Sequence, residues 1–149
     1  MTFVEYMERV KSENYPEDPE VPTPPTFVSR PGVITNIAWG QFEHLALIDS
    51  FPGAVRSNHY HKTDSHFMTV LDGRMEYFWR QVEGGEVKTI TVIPGQVIFT
   101  PPKIVHATFF PVATRILALS RRVRTEKEHE EDLVRVRLIE VINGEPAVV

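Results

Sequence analysis

Residues Gly53 to Gly73 read GAVRSNHYHKTDSHFMTVLDG, and three of the chain's six histidines fall between these two glycines. In an extended chain, side chains i and i+2 share a face, so His59 and His61 aim their imidazoles at one point while Asn58 and Tyr60 face away. His66 stands five residues further on, beyond the reach of that run of strand. Lys62, Thr63 and Asp64 are polar and turn-tolerant, so a reversal there delivers His66 from the neighbouring strand. Downstream, PGQVIFTPPKIVHATFF (residues 94–110) carries His106 just after the Pro101-Pro102 corner. A single HxH on a strand means little. Four imidazoles in two motifs, each bracketed by turn residues, point to a divalent metal site.

The two motifs resemble those of the cupins. In that family the first motif is a glycine, five residues, HxH, three or four residues, usually a glutamate, six residues and a glycine. Gly53, His59, His61 and Gly73 fall in place, with His66 where the glutamate is expected. The second motif is a glycine, five residues, proline, x, glycine, two residues, histidine, three residues, asparagine. Gly95, Pro101 and His106 match it, whereas Lys103 stands for its glycine and Phe110 for its asparagine. The resemblance covers about residues 53–110 and implies an all-β fold, a cupin-type double-stranded β-helix or jelly-roll barrel. It also implies metal ligation by His59, His61 and His106, with His66 as fourth ligand or as a residue behind the ligands, and a homodimer.

With imidazole in place of carboxylate, a divalent ion keeps its full charge, which favours an anionic or enolisable chelating substrate. The all-histidine shell is similar to those of cupin dioxygenases that lack the glutamate, and that resemblance implies a metal-dependent oxygenase acting on a small enolisable or β-dicarbonyl-like molecule. Iron is the first candidate metal, with zinc, manganese, nickel and copper open, and Tyr77 is the candidate proton donor. A lyase or a sugar isomerase or epimerase using the ion as a Lewis acid is the nearest alternative. A barrel that binds a small molecule without turnover is the other.

Length and composition narrow the field. A chain of 149 residues suits one domain, here an N-terminal helix and extended arm over residues 1–32 followed by a barrel with a C-terminal hairpin over 33–149. The net charge of -4 offers no basic stripe for nucleic acid. There are no cysteines, hence no disulfide and no thiolate ligand. No stretch approaches the ~18 apolar residues of a membrane span, and MTFVEYMERVKSE lacks the pattern of a secretory signal, so a cytoplasmic location is expected.

Along the chain, Phe3, Met7 and Val10 recur at helical spacing in residues 2–13. The segment from Tyr15 to Pro31 carries Pro16, Pro19, Pro22, Pro24 and Pro25 and reads as an extended arm free to lie on a partner subunit. Residues 42–51 are apolar on both faces, which predicts a strand covered on both sides, and the lone His44 reads as a hydrogen-bonded structural residue. Met75, Tyr77 and Trp79 share one face of the strand after Gly73. Arg115 reads as a surface charge. The run RVRTEKEHEED (residues 122–132) reads as a solvated loop or helical turn with His129 exposed, and Asn143-Gly144 predicts a final hairpin.

Overall fold

The alternating pattern gives strands almost throughout. The computed structural model describes residues 1–149 as helix α1 (Phe3–Lys11), strands β1 (Thr26–Ser29), β2 (Gly32–Thr35), β3 (His44–Ser50), β4 (Ala54–His61), β5 (His66–Asp72), β6 (Met75–Gln81), β7 (Gly84–Val92), β8 (Val97–Thr100), β9 (Ile104–Phe110) and β10 (Thr114–Ser120), helix α2 (Glu126–Asp132), and strands β11 (Leu133–Arg135), β12 (Ile139–Ile142) and β13 (Glu145–Val148). Two antiparallel sheets form the barrel, one ordered β3-β10-β5-β8 and the other β11-β4-β9-β6-β7. This is the jelly-roll expected from the short strands and regular turns.

Period-two alternation sorts the side chains. Met68, Val70, Met75, Tyr77, Trp79, Ile98, Phe110 and Ile116 point between the sheets and form the main core. On β4 the alternation is deliberately broken. Ser57 pairs with Ala107, which faces outward, yet His59 pairs with His106, which faces inward. The bulge between them inserts one residue and so exchanges the two faces of the strand. Ser57 and Asn58 accordingly adopt φ values of 70° and 54°. Without this bulge the HxH pair would point away from the barrel.

Both outer faces are partly clothed by the chain's own ends. Helix α1 begins with a capping box, in which Thr2 Oγ1 accepts from the Glu5 amide and Glu5 Oε2 accepts from the Thr2 amide. It buries Tyr6, Met7 and Val10 on Phe67, Val97 and Phe99 of β5 and β8. At roughly 1.5 to 3 kcal/mol for each buried apolar side chain, this seam outweighs the weak helix propensity of nine residues. On the other sheet, Leu138 and Ile139 pack on Phe78, Val105, Ala107 and Phe109, after which β12 and β13 form the expected hairpin.

Three expectations need correction. The first part of the arm lies on its own barrel: Tyr15 stacks on Phe99 at 5.8 Å and Glu20 O accepts from the Phe99 amide at 3.0 Å. Its later part forms a hairpin of β1 and β2, because no proline interrupts residues 26–30 and Gly32 allows the turn. The strand over 44–50 is covered on its inner face only. Leu45 and Leu47 are 64% and 61% exposed, since α1 stops at the far half of that sheet.

Candidate metal centre and its cavity

Cross-strand neighbours share a face, and the register lines up two polar rows that look at each other across the barrel end. One sheet contributes His59, His106 and Trp79, and the other His44, Ser120, His66 and Thr100. Nitrogens of His59, His61 and His106 lie within 4.8 Å of one another. The His66 ring is centred 5.2 Å from that of His106 and 5.5 Å from that of His61, beside this triplet rather than inside it.

Hydrogen bonds fix which nitrogen each ring can offer. His106 Nδ1 donates to Ile104 O at 2.9 Å, which leaves Nε2 with its lone pair. His61 Nδ1 donates to Asp132 Oδ2 at 3.1 Å, with the same consequence. The buried Nδ1 of His66 has no partner in the protein. Burial lowers the pKa of every ring: His106 falls to about 4, aided by the positive charge of Arg124, and His59 to about 3, aided by its histidine neighbours. His61 is held lower still, and His66 well below its ordinary value, in both cases by burial first and then by Arg124. The contact between His61 and Asp132 is thus a neutral imidazole donating to a carboxylate. Neutral imidazoles with free lone pairs, one of them an unpartnered buried nitrogen, are a donor set that fits a divalent metal.

Tyr77 takes a different place from the one its sequence position suggested. It is fully buried, its hydroxyl shares a hydrogen bond with Thr100 Oγ1 at 2.7 Å, and burial pushes its pKa up. A phenol so placed is a poor acid. Its ring lies parallel to that of His106 at 5.8 Å and holds the imidazole in place. His44 accepts from the Arg124 amide at 3.2 Å, the structural role expected of it. Arg115 pairs with Asp49 on the exposed surface, also as expected.

The charge run over 122–132 contributes most of what sequence reading missed. The His129 ring, on α2, is centred 5.7 Å from that of His61 and 6.2 Å from that of His59, so it is not the free surface residue expected. Burial lowers its pKa too. Asp132 closes the helix onto the turn after β4, where it accepts from the Thr63 amide and hydroxyl and from the Asp64 amide as well as from His61. The only available signal was spacing: His129 and Asp132 are three apart and share a helix face. A cavity of about 530 Å³ opens here, with Lys62, Asp64, Arg122, Arg124, Glu128 and His129 in its wall.

A jelly-roll barrel with inward histidines at one end has the cupin fold. Among solved structures, the sugar 3,4-ketoisomerase QdtA from Thermoanaerobacterium thermosaccharolyticum in complex with TDP is similar over 80% of this chain and 88% of that one, at TM-score 0.66 and 16% identity. A 3,4-ketoisomerase from Helicobacter canadensis is similar over 79% and 90%, at TM-score 0.65 and 17% identity. The WlaRB TDP-quinovose 3,4-ketoisomerase from Campylobacter jejuni is similar over 74% and 90%, at TM-score 0.64 and 10% identity. At these identities the likeness is one of fold. No protein-family model matches the chain, and neither does a curated protein. No helix is long and apolar enough to cross a membrane.

Proposed function

We propose that the protein is a sugar isomerase or epimerase that moves a proton next to the carbonyl of a keto-sugar. The observation that carries this reading is a sugar-sized polar cavity with His129 in its wall, in a fold shared with several sugar ketoisomerases. The reading takes the place of the oxygenase expectation. The reaction balances without an oxidant. A base removes the proton from the hydroxyl-bearing carbon beside the carbonyl and an enediolate forms; the proton then returns either to the former carbonyl carbon, while the hydroxyl proton passes to the former carbonyl oxygen, or to the other face of the same carbon.

His129 is the imidazole best placed to carry that proton, because it stands in the cavity wall and its lowered pKa leaves it neutral. Arg122 and Lys62 line the same cavity and suit the phosphate of an activated sugar. His59, His61 and His106, with His66 beside them, would hold a divalent ion, which when bound supplies Lewis-acid polarisation of a substrate oxygen. Incubating the protein with TDP-4-keto-6-deoxyglucose, the sugar nucleotide bound in one of the similar structures, in deuterated water tests the reaction by NMR. Deuterium entering beside the carbonyl, with no oxygen consumed, is the expected result. Oxygen uptake, or no exchange above the uncatalysed rate for this or other nucleotide-linked keto-sugars, would overturn it.

We further propose that the chain works as a homodimer. Phe27, Val28, Val33 and Ile34 of the β1–β2 hairpin are each 58–72% exposed, and Leu45 and Leu47 are comparably bare on β3, the open edge of its sheet. Phe27 and Ile34 pair across one face of the hairpin, and Leu45 and Leu47 share the outer face of β3; a free strand edge invites pairing. Sedimentation is expected to give twice the chain mass for the wild type and a monomer for Leu47→Glu. A wild-type monomer would remove the proposal.

A further inference from the structure

We infer that Arg124 gates the histidine centre by occupying the one lone pair that His61 has to offer a metal. The inference rests on the metal reading above and adds a residue that competes with the metal. Arg124 Nη2 lies 3.4 Å from His61 Nε2, while Arg124 Nε donates to Asp64 Oδ2 at 2.9 Å. His61 Nδ1 is already committed to Asp132, so Nε2 is its only coordinating atom. A guanidinium keeps its proton at any ordinary pH. It cannot share that lone pair with a dication, and the two charges repel at this range.

The gate has somewhere to go. Arg124 also lines the cavity, and a guanidinium displaced from His61 turns into water beside Arg122, whose side chain is 48% exposed. Its main chain stays tied to His44 through the amide, so the motion is confined to the side chain. Asp64 is 4% exposed and serves as the latch of the closed state. Once outward, Arg124 adds a planar two-pronged anion donor to the cavity. Metal binding and anion binding therefore favour each other, because both prefer the same arginine position.

Zinc affinity in competition with a chromophoric chelator reads the gate directly, with no need for turnover. Arg124→Gln is expected to bind Zn²⁺ at least tenfold more tightly than the wild type. Arg135→Gln, which removes a charge that bears on His59 but is bonded to Glu130 and to no histidine, is expected to stay within twofold. If Arg124→Gln loses its fold, Arg124→Lys serves instead. Its single ammonium pairs with Asp64, cannot also span to His61, and is expected to tighten binding about threefold or more. Zinc bound by the wild type, with equal or weaker affinity in the Arg124 variants or an equal gain in Arg135→Gln, overturns the gate and leaves the metal reading standing. Failure of every protein to take up zinc overturns both.

Discussion

Between pH 7 and pH 5 the metal-free protein is expected to lose at least about 4 kcal/mol of stability, with the urea midpoint falling accordingly. In the unfolded chain a histidine takes up its proton near pH 6.5. In the folded chain burial delays this to about pH 4 for His106 and about pH 3 for His59. Within that window the unfolded state binds more protons, so stability rises with pH and falls as acid is added. The loss begins below pH 6.5 and levels off only beneath the folded values. His106 and His59 each contribute about 2 kcal/mol over these two units, and His61 and His66, also held low by burial, act in the same direction. Set against a total of ~5 to 15 kcal/mol, this is enough to unfold the domain in mild acid. Denaturation in urea with a chelator present checks it. A midpoint unchanged between pH 7 and pH 5 would mean that the four rings are not buried together.

That the four rings share one end of the barrel was legible because alternation, turn glycines and proline corners are local signals. His59 and His61 had to share a face in any extended chain, and the Lys62–Asp64 turn had to bring His66 back. What alternation leaves open is which face looks inward. The bulge at Ser57 and Asn58 decides that, and a bulge is defined against the partner strand, here at Ala107 and His106, which adjacent residues cannot reveal. The charge run over 122–132 was read as solvated for a related reason. Its composition is that of an exposed helix, while Arg124, His129 and Asp132 act through contacts to residues some sixty or more positions earlier. Leu45 and Leu47 teach the opposite lesson. Their apolarity predicted a cover for the outer face, and the chain leaves that face bare, because alternation reports which side chains are apolar and not what packs on them.

Truncating the bulge residue itself, Asn58→Ala, is expected to cost about 4 kcal/mol and to loosen the histidine centre. Asn58 Oδ1 accepts from the amides of Leu138 and Ile139 at 2.9 and 3.1 Å, and Nδ2 donates to Ile139 O at 3.1 Å. Those bonds pin the segment whose Leu138 and Ile139 side chains seal the outer face of β6 and β9. Alanine leaves two amides without partners, at roughly 1 to 3 kcal/mol for each buried group left unsatisfied. It also meets a φ of 54° that asparagine tolerates better than residues lacking its side-chain amide, worth ~1 kcal/mol more. Asn58→Gly separates the two causes, since glycine accepts the backbone but makes none of the bonds. Urea unfolding should therefore place Asn58→Gly above Asn58→Ala by about 1 kcal/mol and well below the wild type. Because Asn58 directly precedes His59, both variants should also bind zinc more weakly. A wild-type midpoint for the alanine variant would mean that the strand holds its phase without the clamp.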